Sequence, residues 1–439
     1  MNAQRPQSRY YEAMLDEARA LFAERGYHRT SIREITAQVG ASGALVYRHF
    51  GSKEELFRRS VLEHAAELID DHLADAPTPT TGEYFEVLRA EIAALHRLCT
   101  ENQALLRLLI AGSFSPTAGQ TDYPVRPLLD RLERVIATAV PAEHRDRFDL
   151  AIAARAGFGF VMSTSVFHDW LFDAGQPLPP AEHCVRQLTA LMVYGCTGRP
   201  GEQPGPPRLS AAPAPRPEPA PDRADVPRPR VSPGHRQRRS RHQVRRLILD
   251  AAGELFVANG YDGTTTKAIA DRAGVAETSV FRHFGDKPAL FEHAIFEPFR
   301  RWVGDYLDHW GRTGRTHRSL ELQTRDYIGS TYRMLLGNGV LLRSALSGGG
   351  LGGPTGPGSP LPEIFLRLED QLAELAHRNN LTGIDPVLVI RPTFGMLYAV
   401  AALPEWMFGK RGARPSRAAL VRELTGLMVY GTIRRPAPG

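Results

Sequence analysis

The 439-residue chain predicts an all-α fold built as two copies of one helical unit. Three observations carry that reading. The string Arg-His-Phe-Gly-x-Lys-x-x-Leu-Phe occurs twice, 234 residues apart, once beginning at Arg48 and once at Arg282. Residues 21–57 and 255–291 are identical at 15 of 37 positions without a gap. Apolar residues recur at helical spacing, and neither half shows strand-like alternation of useful length.

The repeat extends well past the motif, at an offset of 236. Leu105-Leu106-Arg107 returns as Leu341-Leu342-Arg343, and Arg131-Leu132-Glu133 as Arg367-Leu368-Glu369. Trp170 and Phe172 return as Trp406 and Phe408, and the run from Leu188 to Gly195 returns from Leu424 to Gly431. Each half is about 195 residues, long enough for its own core. Between them, residues 199–234 hold 12 prolines in 36 positions, which marks an extended linker with too little apolar surface to fold. The expected division is a small helical domain (1–60), a larger one (61–198), the linker (199–234), then the same pair again (235–294 and 295–439).

In the first copy, Met14, Leu15, Ala18, Leu21 and Phe22 give a helix from Tyr10 to Glu24, which Gly26 ends. Ser31-Ile32-Arg33-Glu34 has the form of a capping box and starts a second helix running to Val39. Gly40-Ala41-Ser42 is a turn, and a third helix spans Gly43–Phe50. Gly51-Ser52 breaks it, and a long fourth helix opens at Ser52 or Lys53. The second copy repeats this with helices at Val244–Val257, Thr265–Ala273 and Glu277–Phe284, and a turn at Gly274-Val275-Ala276. Two short helices on a glycine turn behind a supporting helix make a helix-turn-helix. Further helices are expected at Gly82–Cys99, Ala104–Ala111, Val125–Ala139, Arg147–Phe172 and Ala181–Tyr194, with counterparts in the second half.

Composition narrows the function classes. The net charge of +6 and pI of about 9.3 fit a nucleic-acid partner without requiring one. Cys99, Cys184 and Cys196 are scattered and have no metal or disulfide spacing. There is no signal peptide and no run of about 18 apolar residues, so a cytoplasmic, non-membrane protein is expected. Gly348–Gly358 follows no strand and lacks a lysine-serine ending, so it is not read as a phosphate loop. No nucleophile motif, paired-carboxylate set or metal cluster points to an enzyme, and no cofactor is expected.

The segments running from Gly40 to Lys53 and from Gly274 to Lys287 resemble the recognition-helix signature of the TetR family of bacterial transcription regulators. By motif the resemblance covers about 50 residues in each half. It implies two tandem units, each a helix-turn-helix DNA-binding domain plus a helical domain for ligand binding and dimerisation. It implies base contacts from Ser42, Gly43, Ala44, Leu45 and Arg48 in the first copy, and from Ala276, Glu277, Thr278, Ser279 and Arg282 in the second. Tyr47, His49 and Lys53 match positions near phosphates, as do Phe281, His283 and Lys287, although Phe281 lacks the hydroxyl of Tyr47. Thr30, Ser31 and Arg33, with Thr264, Thr265 and Lys267, sit at the start of the second helix, where free N–H groups favour a phosphate. His49 and His283 have core packing beside a phenylalanine as an equal reading. Leu21, Phe22, Phe50, Leu255, Phe256 and Phe284 are expected in the core. The run His235–Arg241 is either a basic arm on DNA or a solvated linker end.

Resemblance also implies that the last two helices of each half pair as a four-helix bundle. That makes the chain an intrachain pseudo-dimer, with a homodimer as the alternative. Because the two recognition helices differ at nearly every base-facing position, an asymmetric double-stranded DNA operator is expected. A pocket inside the helical domain would take a small-molecule effector, and the two-repeat form resembles regulators of mycobacterial lipid operons, which suggests a lipid-like one. His96, Asn102, His168 and Tyr398 are polar residues among apolar neighbours, read mainly as satisfied core groups. The main reading is a repressor released by an effector. The alternative is a constitutive, architectural DNA-binding protein.

Overall fold

The computed structural model describes residues 5–25, 27, 30–75, 83–112, 125–172, 179–197, 240–259, 263–313, 319–347, 361–379, 381, 385–409 and 414–435. The proline-rich segment, Gly348–Gly358 and residues 235–239 of the basic run lie outside this set. Among the described residues every regular element is helical, and no helix is long and apolar enough to cross a membrane.

The first unit opens with α1 (Arg5–Arg25), α2 (Ile32–Val39) and α3 (Gly43–Phe50). The fourth helix is continuous but irregular: α4 (Lys53–Phe57) passes through a π-helical turn (Arg58–Glu63) into α5 (His64–Asp75). Next come α6 (Tyr84–Glu101), α7 (Gln103–Gly112), α8 (Arg126–Ala139), α9 (Leu150–Thr164), the short α10 (His168–Leu171) and α11 (Ala181–Tyr194). The second unit has α12 (Arg241–Asn259), α13 (Thr266–Ala273), α14 (Glu277–Phe284), an unbroken α15 (Lys287–Thr313), α16 (Leu320–Ser347), α17 (Leu361–Arg378), α18 (Pro386–Ala402), α19 (Pro404–Phe408) and α20 (Arg417–Tyr430).

The helix expected over Arg147–Phe172 is divided. Asp149 caps α9 by accepting from the Ile152 amide at 3.0 Å, with a 3₁₀ turn (Ala142–Arg147) before it. At the far end, the Ser163 and Ser165 hydroxyls donate back to the carbonyls of Gly159 and Val161, and the chain turns before α10.

The two units meet along α9, α11, α18 and α20, which pack as four neighbouring helices. Small residues let them approach. A Cβ on Gly159 would lie 2.9 Å from the Met396 Cα, and one on Gly395 would lie 2.2 Å from the Ser163 Oγ. The contacts repeat reciprocally at the 236-residue offset. Arg155 donates to the Met407 carbonyl at 2.5 Å and lies over the Phe408 ring at 5.4 Å. Arg391 donates to the Leu171 carbonyl at 2.9 Å and lies over the Phe172 ring at 5.5 Å. Behind each arginine sits a matching carboxylate: Glu133 at 3.5 Å from Arg155, and Glu369 at 2.6 Å from Arg391. At the end of the seam, Gly195 and Gly431 both hold φ near 64° with extended ψ, a region essentially closed to other residues. The chain then crosses, and the Thr432 and Ile433 amides donate to the Met192 and Val193 carbonyls.

Candidate DNA-reading heads

Each head folds for reasons visible at its caps. In the first, Ser31 accepts from the Glu34 amide at 3.2 Å while the Glu34 carboxylate accepts from the Ser31 amide at 2.8 Å, completing the box. These bonds to Ser31, with Arg25 nearby, hold the Glu34 carboxyl below its usual range. In the second, Thr265 accepts from the Ala268 amide at 3.1 Å, but Ala268 has no side chain to reach back, so half of the box is missing. Gly40 and Gly274 then turn through left-handed backbone (φ 69° and 63°), which sets the following helix across the preceding one.

The heads share one core. Met14, Phe22, Ile35, Val46, Phe50, Leu56 and Phe57 are buried, as are Ile248, Phe256, Ile269, Val280, Phe284, Leu290 and Phe291. Leu21 is buried too, whereas Leu255 is only half-buried. That core leaves one side of α3 and of α14 in solvent. Ser42, Ala44, Tyr47 and Arg48 are exposed, with Gly43 and Leu45 half-buried. Ala276, Thr278, Phe281 and Arg282 are exposed, with Glu277 and Ser279 half-buried. Tyr47 and Phe281 are unusually open for aromatic side chains, at 58% and 46%. Glu277 accepts from the Thr266 hydroxyl at 2.7 Å, and Arg282 donates to the Ser279 hydroxyl at 3.3 Å.

Several expected contact residues have work inside the fold. Thr30 and Thr264 are buried, and their hydroxyls donate to the Leu21 and Leu255 carbonyls at 3.1 and 3.0 Å. These threonines tie the start of α2 and α13 to the preceding helix and turn no hydroxyl outward. Ser31, Arg33, Thr265 and Lys267 around them are exposed. His49 packs edge-on against Tyr11 and beside Phe50, and His283 packs beside Phe284. Lys53 lies 4.3 Å from the Tyr27 ring centroid, and burial lowers its pKa. Tyr27 in turn donates to Glu54 at 2.9 Å, and Lys287 is half-buried at the matching position.

Residues 14–59 and 248–294 each match the family model of bacterial regulatory proteins of the tetR family. Both heads are tetR-family domains. Relatives of these tetR-type heads include an uncharacterized HTH-type transcriptional regulator of Bacillus subtilis, 53% identical over 45 residues (10% of this chain and 24% of the relative). An HTH-type transcriptional repressor of Mycobacterium tuberculosis is 50% identical over 52 residues, 12% of this chain and 27% of the relative. The match therefore spans about a quarter of those curated relatives. Among solved structures, a protein from Mesorhizobium loti described as a TetR-family transcriptional regulator is 22% identical over 43% of this chain and 94% of its own, with a TM-score of 0.36.

Beyond the heads, the second unit holds a cavity that the sequence did not locate. It is small, with a volume of about 60 Å³, and lies among α15, α16, α17, α18 and α20. Tyr306, Gln323, Thr324, Tyr327, Gln371 and Thr393 are the polar residues of a largely aliphatic lining, and Cys196 reaches in from the first unit. No lining side chain is charged. Burial pushes the Cys196 thiol up to about 12, so it stays neutral. The Gln371 Oε1 is buried with no hydrogen-bond partner among the described residues. At the matching places the first unit has Val87, Val135 and Gly157 for Gln323, Gln371 and Thr393, all three within its buried core. There Glu91 stands for Tyr327 and forms a buried two-pronged pair with Arg131 at 2.7 and 3.0 Å. The signal was a pair of glutamines facing valines at the 236-residue offset. His96, Asn102, His168 and Tyr398 do not line this cavity.

Proposed function

We propose that this chain is a sequence-specific DNA-binding transcriptional regulator, acting as a repressor, whose two heads engage one operator as an intrachain pseudo-dimer. The observation that carries this reading is the pair of tetR-type heads with exposed and unequal third helices. A symmetric dimer reads a palindrome because its halves are identical. Here Ser42, Gly43, Ala44, Leu45 and Arg48 face one half-site, and Ala276, Glu277, Thr278, Ser279 and Arg282 the other. Glu277 would accept from a cytosine amino group where Gly43 offers no side chain. Tyr47, His49, Lys53, Phe281, His283 and Lys287, with Ser31, Arg33, Thr265 and Lys267, flank these toward the phosphates. The reciprocal seam supports pairing within one chain, because its helices are already covered by each other. The repressors among the relatives support the sign of regulation.

The effector reading rests on the cavity. Its lining of neutral amides and hydroxyls on apolar walls suits a neutral, largely apolar molecule with one or two hydrogen-bonding groups, compatible with a neutral lipid-like effector. A free carboxylate or phosphate would meet no cation there. α15 runs from the head at Lys287 to the cavity at Tyr306, so a ligand favouring a shifted α15 would lower the population of the DNA-competent arrangement.

Base-resolution footprinting on the chain's own upstream DNA, with the mass of the complex, tests the first part. Two unequal protected half-sites under one chain are expected, and a symmetric site under two chains would overturn pairing in cis. For the effector, a neutral apolar ligand should raise the thermal midpoint and release DNA, and Gln371→Val should abolish both responses while DNA binding persists. DNA release by no ligand at all would favour the architectural reading.

A further inference from the structure

We propose that the second head carries an additional phosphate-binding face, on the opening turns of α12 beside α14, that grips the DNA backbone flanking its half-site and that the first head lacks. This rests on the DNA-binding reading above. α12 begins Arg241-His242-Gln243-Val244-Arg245-Arg246, three arginines and no acid. The matching residues 7–12 read Gln-Ser-Arg-Tyr-Tyr-Glu, one arginine and one glutamate, so the formal charges are +3 and 0. Arg241, His242 and Arg246 are exposed, and His242, Arg245, Arg246, Leu249 and Arg301 line a surface groove.

The cluster adjoins the reading helix. Arg245 lies 5.2 Å from the centroid of Phe284, the last residue of α14, and its Nη2 is 3.4 Å from the His293 Nδ1. His283, also on α14, has its pKa lowered by burial and then by the fields of Arg282, Arg241 and Arg245. The cation at this spot comes from a different helix in each head. In the first, Arg59 lies over Phe50 at 6.0 Å, but it is neutralised by Glu55 at 2.7 Å and donates to the Tyr11 hydroxyl at 3.1 Å. The second head has Arg245 for Tyr11, His293 for Arg59 and Ala289 for Glu55. The exchange keeps a cation on the phenylalanine and deletes its carboxylate. Arg241 and Arg245 have no acidic partner among the described residues, while Arg246 and Arg301 both reach Asp250, at 3.8 and 3.4 Å.

Arg241 and Arg245, like charges with no acidic partner among the described residues, repel one another, and a polyanion passing the end of the reading helix relieves that repulsion. The backbone of a duplex seated on α14 has this charge and this position. A uniform row of phosphates, unlike a base edge, needs no fixed register, so the face adds grip without adding sequence preference.

The test uses the full chain with Arg241→Gln and Arg245→Tyr, the residues of the first head, and with Arg241→Gln alone because that side chain is exposed. Affinity is measured between roughly 50 and 200 mM salt, a range over which counterion release is readily resolved, on the operator and on a random duplex of equal length. The double variant should flatten the slope of log affinity against log salt by about 2, and the single variant by about 1, at ~0.9 per lost phosphate contact. The weakening should be equal on both duplexes, with protection lost only outside the second half-site. An unchanged slope in variants of normal helicity overturns the proposal while the DNA-binding reading stands. Failure of the unaltered chain to bind either duplex overturns both.

Discussion

The seam between the units and the interiors of the units have diverged to different degrees. Along the seam, residues 236 apart still make the same contacts: Arg155 with Met407 and Arg391 with Leu171, Gly195 against Val429 and Gly431 against Val193. Inside the units the matching positions no longer agree: a buried ion pair fills the first where a polar-lined cavity opens in the second. In these seam contacts each residue faces one of the other unit, so a change there must be answered in the other half. A residue lining one interior answers only to its own unit, and the two interiors are free to specialise.

The largest expected effect would sharpen this picture at a place where the seam is uneven. Arg391 and Glu369 are both buried (4% and 8% exposed), whereas Glu133 behind Arg155 is 38% exposed. Arg391→Ala strands a buried carboxylate and should cost about 3–5 kcal/mol, read from urea unfolding. Arg155→Ala should cost clearly less, since water reaches Glu133. Equal losses would mean that burial of the carboxylate does not set the cost.

Next comes the glycine pair. Gly431→Ala places a Cβ 2.3 Å from the Val193 carbonyl oxygen at a φ of 64°. We expect a loss of about 3 kcal/mol, combining backbone strain with overpacking. Gly195→Ala should match it, because its Cβ would meet Val429 at 2.5 Å. Gly40→Ala in the first head has open space around its Cβ, so it should cost only about 1–2 kcal/mol, for left-handed backbone alone. A thermal midpoint that fell for one seam glycine and not the other would break the reciprocity.

The smallest effect separates the heads. Ser31→Ala removes the hydroxyl that accepts from the Glu34 amide and donates to the Glu34 carboxylate and should cost about 1 kcal/mol, while Thr265→Ala removes only the bond from the Ala268 amide and should cost less. Hydrogen exchange of the α2 and α13 amides resolves the difference, and a larger loss at Thr265 would contradict it.

Where local chemistry ends an element, the sequence was a good guide. Ser31, Gly40 and Gly51 bound α2 and α3 where their caps predict, and α11 spans the expected Ala181–Tyr194. The π-helical turn at Arg58–Glu63 was not legible, because nothing in a helical pattern distinguishes one wide turn from its neighbours. The inward hydroxyls of Thr30 and Thr264 were missed for a related reason: a threonine at a helix start reads as a surface group until the preceding helix is placed beside it. Arg155 and Arg391 did leave a trace, as a lone arginine kept in each of two apolar runs, with Glu133 and Glu369 kept at the same offset.

Duplication, helical class and the helix-turn-helix heads follow from repeated motifs, caps and periodicity, which act over a few residues and survive in a linear string. The reciprocal seam, the cavity of the second unit and the uncompensated arginines beside α14 join residues tens to hundreds of positions apart. Their energies depend on which side chains burial brings together and which charges it leaves without a partner, and that is settled when the helices pack.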